Sequence, residues 1–516
     1  MALSAGVAAG LAHPPFGLLP GLLGYAVMMR MAETTGPRPR RSAFFRGWLA
    51  GVGYFAVGVW WITEAFLVDA AAHGWMAPFA LLLMAGGLAL FWGLAALLYR
   101  LADVRGPARV LVFAGALALL EWVRSHIFTG FPWNLPGESW TAGGAISQFA
   151  SVVGPYGLSW LTVALAASFA LVLDAASPRR RFAGPALAIL LLAGMFVFGT
   201  VRLSGAPPAR ADAPLVRIVQ ADIDQKDKWK PENLDSIVDA YVELSRGKPG
   251  DPVPQIIVWP EGALPAVIDD LLAPGSPYLG RFGQAVAPGQ TLLLGANRVQ
   301  FDAQGQADYF NSLVALRGLP DGLKVTGVYD KHRLVPFGEF LPYGDLATRL
   351  GIRSLVHMPE DFTAGPPPKP ISPQGLPPLQ PLICYEALFP RFAEAAAARA
   401  GVRPQWLLNV SNDAWFGATS GPWQHLNIAS YRAIESGLPI IRATPTGVSA
   451  VIDAQGRIVP GAELGLGKSG VIDARLPAPR ARTIYSFISE AGFAMMLLLS
   501  LAMVGIRQLD RRVERN

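Results

Sequence analysis

Cysteine is almost missing from this chain: Cys384 stands alone in 516 residues, which excludes an intrachain disulfide framework and any cysteine-rich zinc site. Charge is scarce too. Only 16% of residues are Asp, Glu, Lys or Arg, against 52% hydrophobic ones, a balance too apolar for an ordinary soluble enzyme. Histidine is sparse, and His13, His73, His126, His332, His357 and His425 show no HExxH or paired-ligand spacing. No glycine-rich phosphate loop follows a strand-like run, so neither a metal nor another cofactor is expected. The net charge of +6 is modest, and much of the basic excess falls in short loops beside apolar runs, which argues against a nucleic-acid partner.

What is present is membrane-length hydrophobicity, unevenly placed. Spanning the hydrocarbon core takes about 20 mostly apolar residues in a helix, and eight candidate runs emerge: 2–13, 15–31, 47–67, 76–98, 109–124, 155–174, 183–201 and 489–506. The first is short. It could also be the apolar part of a signal peptide, although no small-residue cleavage site follows it. Arginine clusters orient the bundle, because basic residues collect in cytoplasmic loops. Arg38, Arg40, Arg41 and Arg46 follow the second run; Arg100, Arg105 and Arg109 the fourth; Arg179, Arg180 and Arg181 the sixth; Arg507, Arg511, Arg512 and Arg515 the eighth. Alternation then puts both termini inside and the long segment after the seventh run outside. The chain therefore divides into a bundle of about seven spans over 1–201, an extracytoplasmic domain over 202–488, and a C-terminal span with its tail over 489–516.

The outer segment reads as an α/β or layered α+β domain of about 280 residues, a size suited to one core. "LVRIVQ", "QIIVWP", "TLLLGA", "NSLVAL", "LKVTGVYD", "PLICYE", "QWLLNVSND" and "VSAVIDAQGRIV" are strand-like, several of them apolar on both faces. Helical stretches are expected at 231–246 and 389–401. A proline-rich loop, "GPPPKPISPQGLPPLQP", leads into the run that ends at Cys384. An unpaired thiol in an oxidising compartment is either reactive or deeply buried.

Three polar residues follow strand-like runs: Glu261 after "QIIVWP", Lys331 after "TGVYD", and Cys384 after "PLI". Strand ends converge on one crevice in many α/β enzymes, so a shared site is plausible. The chemistry suits acyl transfer. A carboxylate can take the thiol proton, and an ammonium favours the thiolate and an oxyanion formed by its attack on a carbonyl. Each residue also has a plainer reading: Glu261 as a turn carboxylate, Lys331 as a surface lysine, Cys384 as an inert buried thiol. The eight lysines all lie between 226 and 468, and the basic clusters beside the apolar runs use arginine alone, which counts somewhat against an incidental Lys331.

Longer motifs bear on the choice. "WPEGALP", "YDKHRLVPFGEFLP", "ICYE" and "SNDAWFGATSGPWQH" resemble the nitrilase superfamily of carbon-nitrogen hydrolases. With "HIFTGFPWNLPG" at 126–137, "VQADIDQKDKWKPE" and the membrane layout, the chain is similar, over nearly its whole length, to the apolipoprotein N-acyltransferase family. The "QADI" stretch and the proline-rich insert look individual to this chain. The resemblance implies an α-β-β-α sandwich domain joined to a polytopic bundle, placed in the inner membrane of a diderm bacterium with the catalytic domain in the periplasm. It implies that an acyl chain leaves a phospholipid, typically phosphatidylethanolamine, rides on Cys384 as a thioester, and passes to the amine of a diacylglyceryl-cysteine that begins an apolipoprotein. Cys384 is then the nucleophile, Glu261 the general base and Lys331 the oxyanion stabiliser. Glu339, Tyr385 and Glu386 take supporting roles, and Trp229 is an aromatic on the substrate side.

Both substrates are anchored in lipid, so Leu334, Val335, Phe337, Phe340 and Leu341 could form a lid or interfacial wedge for acyl chains, ordinary core packing being the alternative. Two other functions compete. A membrane-tethered amidase would use the same three residues on a small amide but has no need of a bundle. A transporter would carry charges inside its spans, which here are nearly uncharged apart from Glu64 near the end of the third run and Glu121 with Arg124 near the end of the fifth.

Overall fold

The computed structural model describes residues 1–33, 37–205, 210–248, 250–342, 344 and 361–515, with side chains given up to residue 506. His357 and the side chains of the C-terminal arginine cluster fall outside the described set. The chain forms two compact units, one of residues 1–206, 419–436 and 481–516, the other of residues 207–418 and 437–480.

The first unit is helical. Among the described residues, three stretches are long and apolar enough to cross a membrane, Ala70–Ala102, Ile146–Leu173 and Pro178–Ser204, and a shorter apolar helical stretch covers Ala491–Ile506. Other candidate runs take different forms. Where the sequence suggests one span over 15–31, Pro15 and Pro20 interrupt it, and a turn of 3-10 helix at Leu19–Leu23 leads into helix Gly24–Glu33. The run at 47–67 belongs to a helix that begins earlier, at Pro39, and stops at Gly58, with a separate helix Ile62–Leu67 beyond. Proline favours a first helical turn, where its missing N–H costs nothing. Close packing rests on small residues: a Cβ at Gly6 would run into the Ala50 carbonyl of the helix Pro39–Gly58. Leu190, Val197 and Val201 of helix Pro178–Ser204 are exposed, as expected of a lipid-facing stripe.

The second unit is built on two sheets. Strands β1 Leu215–Gln220, β2 Ile256–Trp259, β3 Thr291–Phe301, β4 Ala307–Leu319 and β5 Gly322–Asp330 precede β6 Leu379–Ile383, β7 Trp406–Val410, β8 Ile440–Ala443, β9 Ser449–Ile452, β10 Ile458–Leu464 and β11 Gly470–Arg475. One sheet has six strands in the order β11-β1-β2-β3-β4-β5, the other five in the order β10-β9-β8-β7-β6. β1, β2 and β3 run parallel, as do β6, β7 and β8. Such strands are covered on both faces and read as unbroken apolar runs, which is why "IIVW" and "WLLNV" are wholly buried. One core cluster joins Val216, Ile256 and Leu293 of the first sheet to Leu379, Leu408 and Ile441 of the second. On the other face of the first sheet, Val238 and Tyr241 of helix Leu234–Arg246 and Phe282 of helix Pro277–Ala285 pack with Ile257, Trp259 and Leu292.

Some boundaries differ from the sequence reading. "PLICYE" leaves the strand at Ile383, and Cys384 opens a 3-10 turn. "VSAVIDAQGRIV" is two strands, β9 and β10, because Asp453–Gly456 closes a tight turn. β8 and β11 were not legible: each is short, and β11 pairs antiparallel with the distant β1.

Candidate active site

Strand ends deliver the site. Glu261 lies two residues past β2, Lys331 directly after β5, and Cys384 directly after β6. The Lys331 amide donates to the Asn311 carbonyl at 2.8 Å, extending the β4–β5 ladder and fixing the lysine's origin. Behind Glu261, β3 must present a glycine. A Cβ at Gly295 would come within 2.6 Å of the Glu261 Cα and 2.5 Å of the Pro260 carbonyl oxygen, so any larger residue would push the carboxylate forward.

The side chains form a compact ionic cluster. Lys331 Nζ lies 3.3 Å from Glu261 Oε1 and 2.8 Å from Glu339 Oε1. Asn311 Nδ2 donates to both carboxylates, at 2.7 Å each. Backbone amides complete them, Asn412 N donating to Glu261 Oε2 at 2.5 Å and Val335 N to Glu339 Oε2 at 2.8 Å. All four side chains are buried. Lys331 is therefore not a surface lysine, and Glu261 is not a solvated turn residue.

Cys384 has φ of 47°, a left-handed conformation that costs a non-glycine residue roughly 1–2 kcal/mol and persists only where the surroundings enforce it. The enforcement is visible in Glu386, which is fully buried. Its Oε2 accepts from the Ile383 amide at 2.9 Å, and its Oε1 accepts from the His332 amide at 2.8 Å, the Arg333 amide at 3.2 Å and the Tyr329 hydroxyl at 2.9 Å. One carboxylate thus ties the cysteine turn to the backbone just after Lys331. Burial pushes Glu386 up to about 7, against the pull of the Ile383 and His332 amides and the Lys331 charge.

Burial also raises the Cys384 thiol well above its usual range, and the Glu261 charge adds to this. Lys331 and the Ser411 hydroxyl pull the other way without cancelling it. The resting form is the thiol, so the ammonium alone does not make a thiolate and a base is required. For Lys331 the balance is opposite. Burial works against its charge, but Glu339, Glu261 and Cys384 outweigh it and hold the ammonium protonated.

The other expected residues lie at varying depth. Tyr385 is buried, its ring edge-on to Phe389 at 5.1 Å. Trp229 is exposed, with Lys228 Nζ 5.6 Å from its ring centre. Along the proposed lid, Leu341 is buried while Phe337, with φ of 62°, is exposed at the tip. Asn311, Asn412 and Ser411 escaped the sequence reading. So did the buried pair of Arg442 and Asp413 at 2.5 Å, which braces the turn after β7; Asp413 also accepts from Ser411 at 2.7 Å. Asn311 carries a signal in hindsight, a polar residue opening the apolar "NSLVAL". A backbone amide such as that of Asn412 leaves none. No group of three His, Cys, Asp or Glu side chains among the described residues could hold a metal ion.

An acid, a cation and a thiol stand at the ends of β2, β5 and β6, and the family model described as a carbon-nitrogen hydrolase matches residues 215–485. The model described as the apolipoprotein N-acyltransferase N-terminal domain matches residues 5–168. The chain is 54% identical to an apolipoprotein N-acyltransferase of Caulobacter vibrioides, over 97% of this chain and 93% of the relative. It is 39% identical to that of Rhodopseudomonas palustris, over 98% and 95%. A crystal structure of an amidase from Nesterenkonia sp. matches at 21% identity with a TM-score of 0.36, covering 56% of this chain and 97% of the amidase. The chain belongs to the apolipoprotein N-acyltransferase family. It is a membrane protein and an acyltransferase, and the amidase alternative is not favoured.

Proposed function

We propose that the chain moves an acyl group from a phospholipid, with phosphatidylethanolamine as the typical donor, to the α-amine of the diacylglyceryl-cysteine that begins an apolipoprotein, through a thioester on Cys384. Glu261 takes the proton from Sγ as the thiolate attacks the donor's ester carbonyl, and the Lys331 ammonium meets the oxyanion that develops. The glycerol oxygen departs with the proton held by Glu261, leaving a lysophospholipid and the thioester. The acceptor amine then attacks the thioester, Glu261 takes a proton from the nitrogen, and Sγ leaves as the thiol re-forms. Glu339 and Asn311 hold Lys331 and Glu261 in register, and Glu386 holds the Cys384 turn. Tyr385 supports that turn from within, while Trp229 and Phe337 offer apolar surface to acyl chains.

The observation that carries this reading is the buried Lys331 ammonium shared by Glu261 and Glu339 at the end of the strand beside the Cys384 turn. Two lipid-bound substrates also favour a double displacement, since one acyl site can serve both in turn. The setting we infer is a bacterial inner membrane crossed about eight times, with the segment over 202–488 in the periplasm and both termini in the cytoplasm; the arginine clusters support it.

Purified protein incubated with acyl-labelled phosphatidylethanolamine should acquire hydroxylamine-sensitive label at Cys384. Cys384→Ser should lose turnover by at least ~10³-fold, because a hydroxyl is a far poorer nucleophile than a thiol. Wild-type turnover in that variant would end the nucleophile assignment.

A further inference from the structure

Within "VQADIDQKDKWKPE", the triad accounts for nothing between Gln225 and Lys228. These two residues open and close a one-turn helix, Gln225–Lys228. Positions i and i+3 share a helix face. Both side chains are buried, at 8% and 2% exposure. Both end in donors, Gln225 Nε2 and Lys228 Nζ, that find no acceptor among the described residues. Two adjacent unmatched donors are unusual, since more than 90% of buried polar groups are satisfied and an isolated buried ammonium is especially costly.

Their location is specific. A Cβ on Gly262, the residue after Glu261, would lie 3.4 Å from Lys228 Nζ. The lysine therefore reaches the turn that carries the proposed base, without a hydrogen bond to it. On its outer side stands the exposed Trp229 ring. Lys228 thus stands next to both the turn that carries Glu261 and the exposed Trp229, with Gln225 on the same helix face, and the two offer one formal positive charge and one amide N–H₂ to an incoming oxygen.

We propose that Gln225 and Lys228 form the subsite that binds the anionic phosphodiester of the acyl donor. The inference rests on the phospholipid-donor reading above and extends it to a named headgroup contact. Charge selects the phosphodiester over the other oxygens present. Ester and peptide carbonyls are neutral, whereas a buried ammonium gains most from a full negative charge. Burial holds Lys228, which has no hydrogen-bond partner among the described residues, down to about 8, partly offset by Glu261, and an incoming anion would hold its proton more firmly. Gln225 adds a directional donor to a second phosphate oxygen. Glu261 is the carboxylate near this lysine, so the subsite also offsets the repulsion between that carboxylate and an arriving phosphodiester.

The test compares two donors of identical acyl chains, phosphatidylethanolamine and diacylglycerol, in detergent micelles, reading single-turnover label on Cys384 in the full-length protein. For Lys228→Met the half-saturating concentration of the phospholipid should rise about 10- to 100-fold, the scale of a lost charge-assisted hydrogen bond. The value for diacylglycerol, which has no phosphate, should change less than about 3-fold. Gln225→Leu should show the same selectivity with a smaller rise. The melting temperature of Lys228→Met should hold or increase, because an uncompensated buried charge is removed, and this separates a binding role from a structural one. Equal loss with both donors, or no change with either, would overturn the headgroup subsite. If Lys228→Met fails to fold, Gln225→Leu alone decides by the same donor ratio. Wild-type protein that takes label from diacylglycerol but not from phospholipid would instead overturn the donor reading itself.

Discussion

Two ionic clusters in this molecule share the same ingredients and differ in their balance. In the helical unit, Arg109 bridges Glu33 at 2.7 Å and Asp174 at 2.6 Å, and Arg30 contacts the same two acids at 3.1 and 3.0 Å. Two carboxylates meet two guanidiniums, and the contacts cancel. In the sheet unit, Glu261 and Glu339 share a single ammonium and a single amide. The first cluster ties helices together with matched charge; the second carries one carboxylate more than it has cations.

Shifting the balance at the site should have the largest effect. Lys331→Met leaves the two carboxylates on either side of Asn311 without a cation between them. Acyl transfer should fall by at least ~100-fold, the scale of losing one oxyanion donor. Lys331→Arg keeps the charge but replaces a compact ammonium with a planar guanidinium, and the same ~100-fold loss is expected. Thioester formation measured beside thermal stability settles the matter. Near-normal chemistry in the arginine variant would mean that charge alone suffices.

A smaller effect is expected at Glu386, which belongs to neither cluster. Its folded-state value of about 7 exceeds that of an exposed carboxyl. The folded state thus holds the extra proton between about pH 4.5 and 7, and this group's contribution to stability is lost as pH rises through that window. Glu386→Gln should remove up to about 3 kcal/mol of this pH dependence. It also sets an amide N–H₂ against backbone donors, so the Cys384 turn should loosen and acyl transfer fall about 10-fold. Melting curves across pH 5–8 for the two proteins would test the slope; parallel curves would contradict it.

The smallest effect on chemistry is expected in the balanced cluster. Arg109→Met strands two acids beside the remaining Arg30, so the melting temperature in detergent should drop by roughly 5 °C. Turnover per folded molecule should stay within about 2-fold. A large loss of turnover without loss of stability would show that the clusters are coupled.

Much of the site was legible because its chemistry is carried by rare residues after apolar runs: the lone cysteine at the end of β6, a lysine after β5, and a glutamate after Trp259 and Pro260. What escaped depends on tertiary geometry. The Asn412 amide on Glu261 is a backbone group without a side-chain signature, and the left-handed Cys384 is imposed by a carboxylate two residues on. Helix Gly421–Ser436 went unread for a related reason. Nearly every residue in it is buried, on all sides, so no amphipathic period shows. Its polar side chains find partners instead, Gln424 with Trp133, Asn427 with the Ala142 amide, and Arg432 with Glu138.

That helix lies inside the stretch matched by the carbon-nitrogen hydrolase model, yet it is grouped with the helical unit. Its Tyr431 hydroxyl donates to the Gly137 and Trp140 carbonyls, and Asn427 donates to the Glu138 carbonyl. For anyone wishing to crystallise, evolve or screen the hydrolase stretch as a water-soluble fragment, 215–485 is therefore a poor cut. Expressed alone, it would bring along a helix whose tyrosine, arginine and asparagine have lost the carbonyls and carboxylate they were shaped to meet. Grafting that domain onto another anchor would require carrying the 133–142 loop with it.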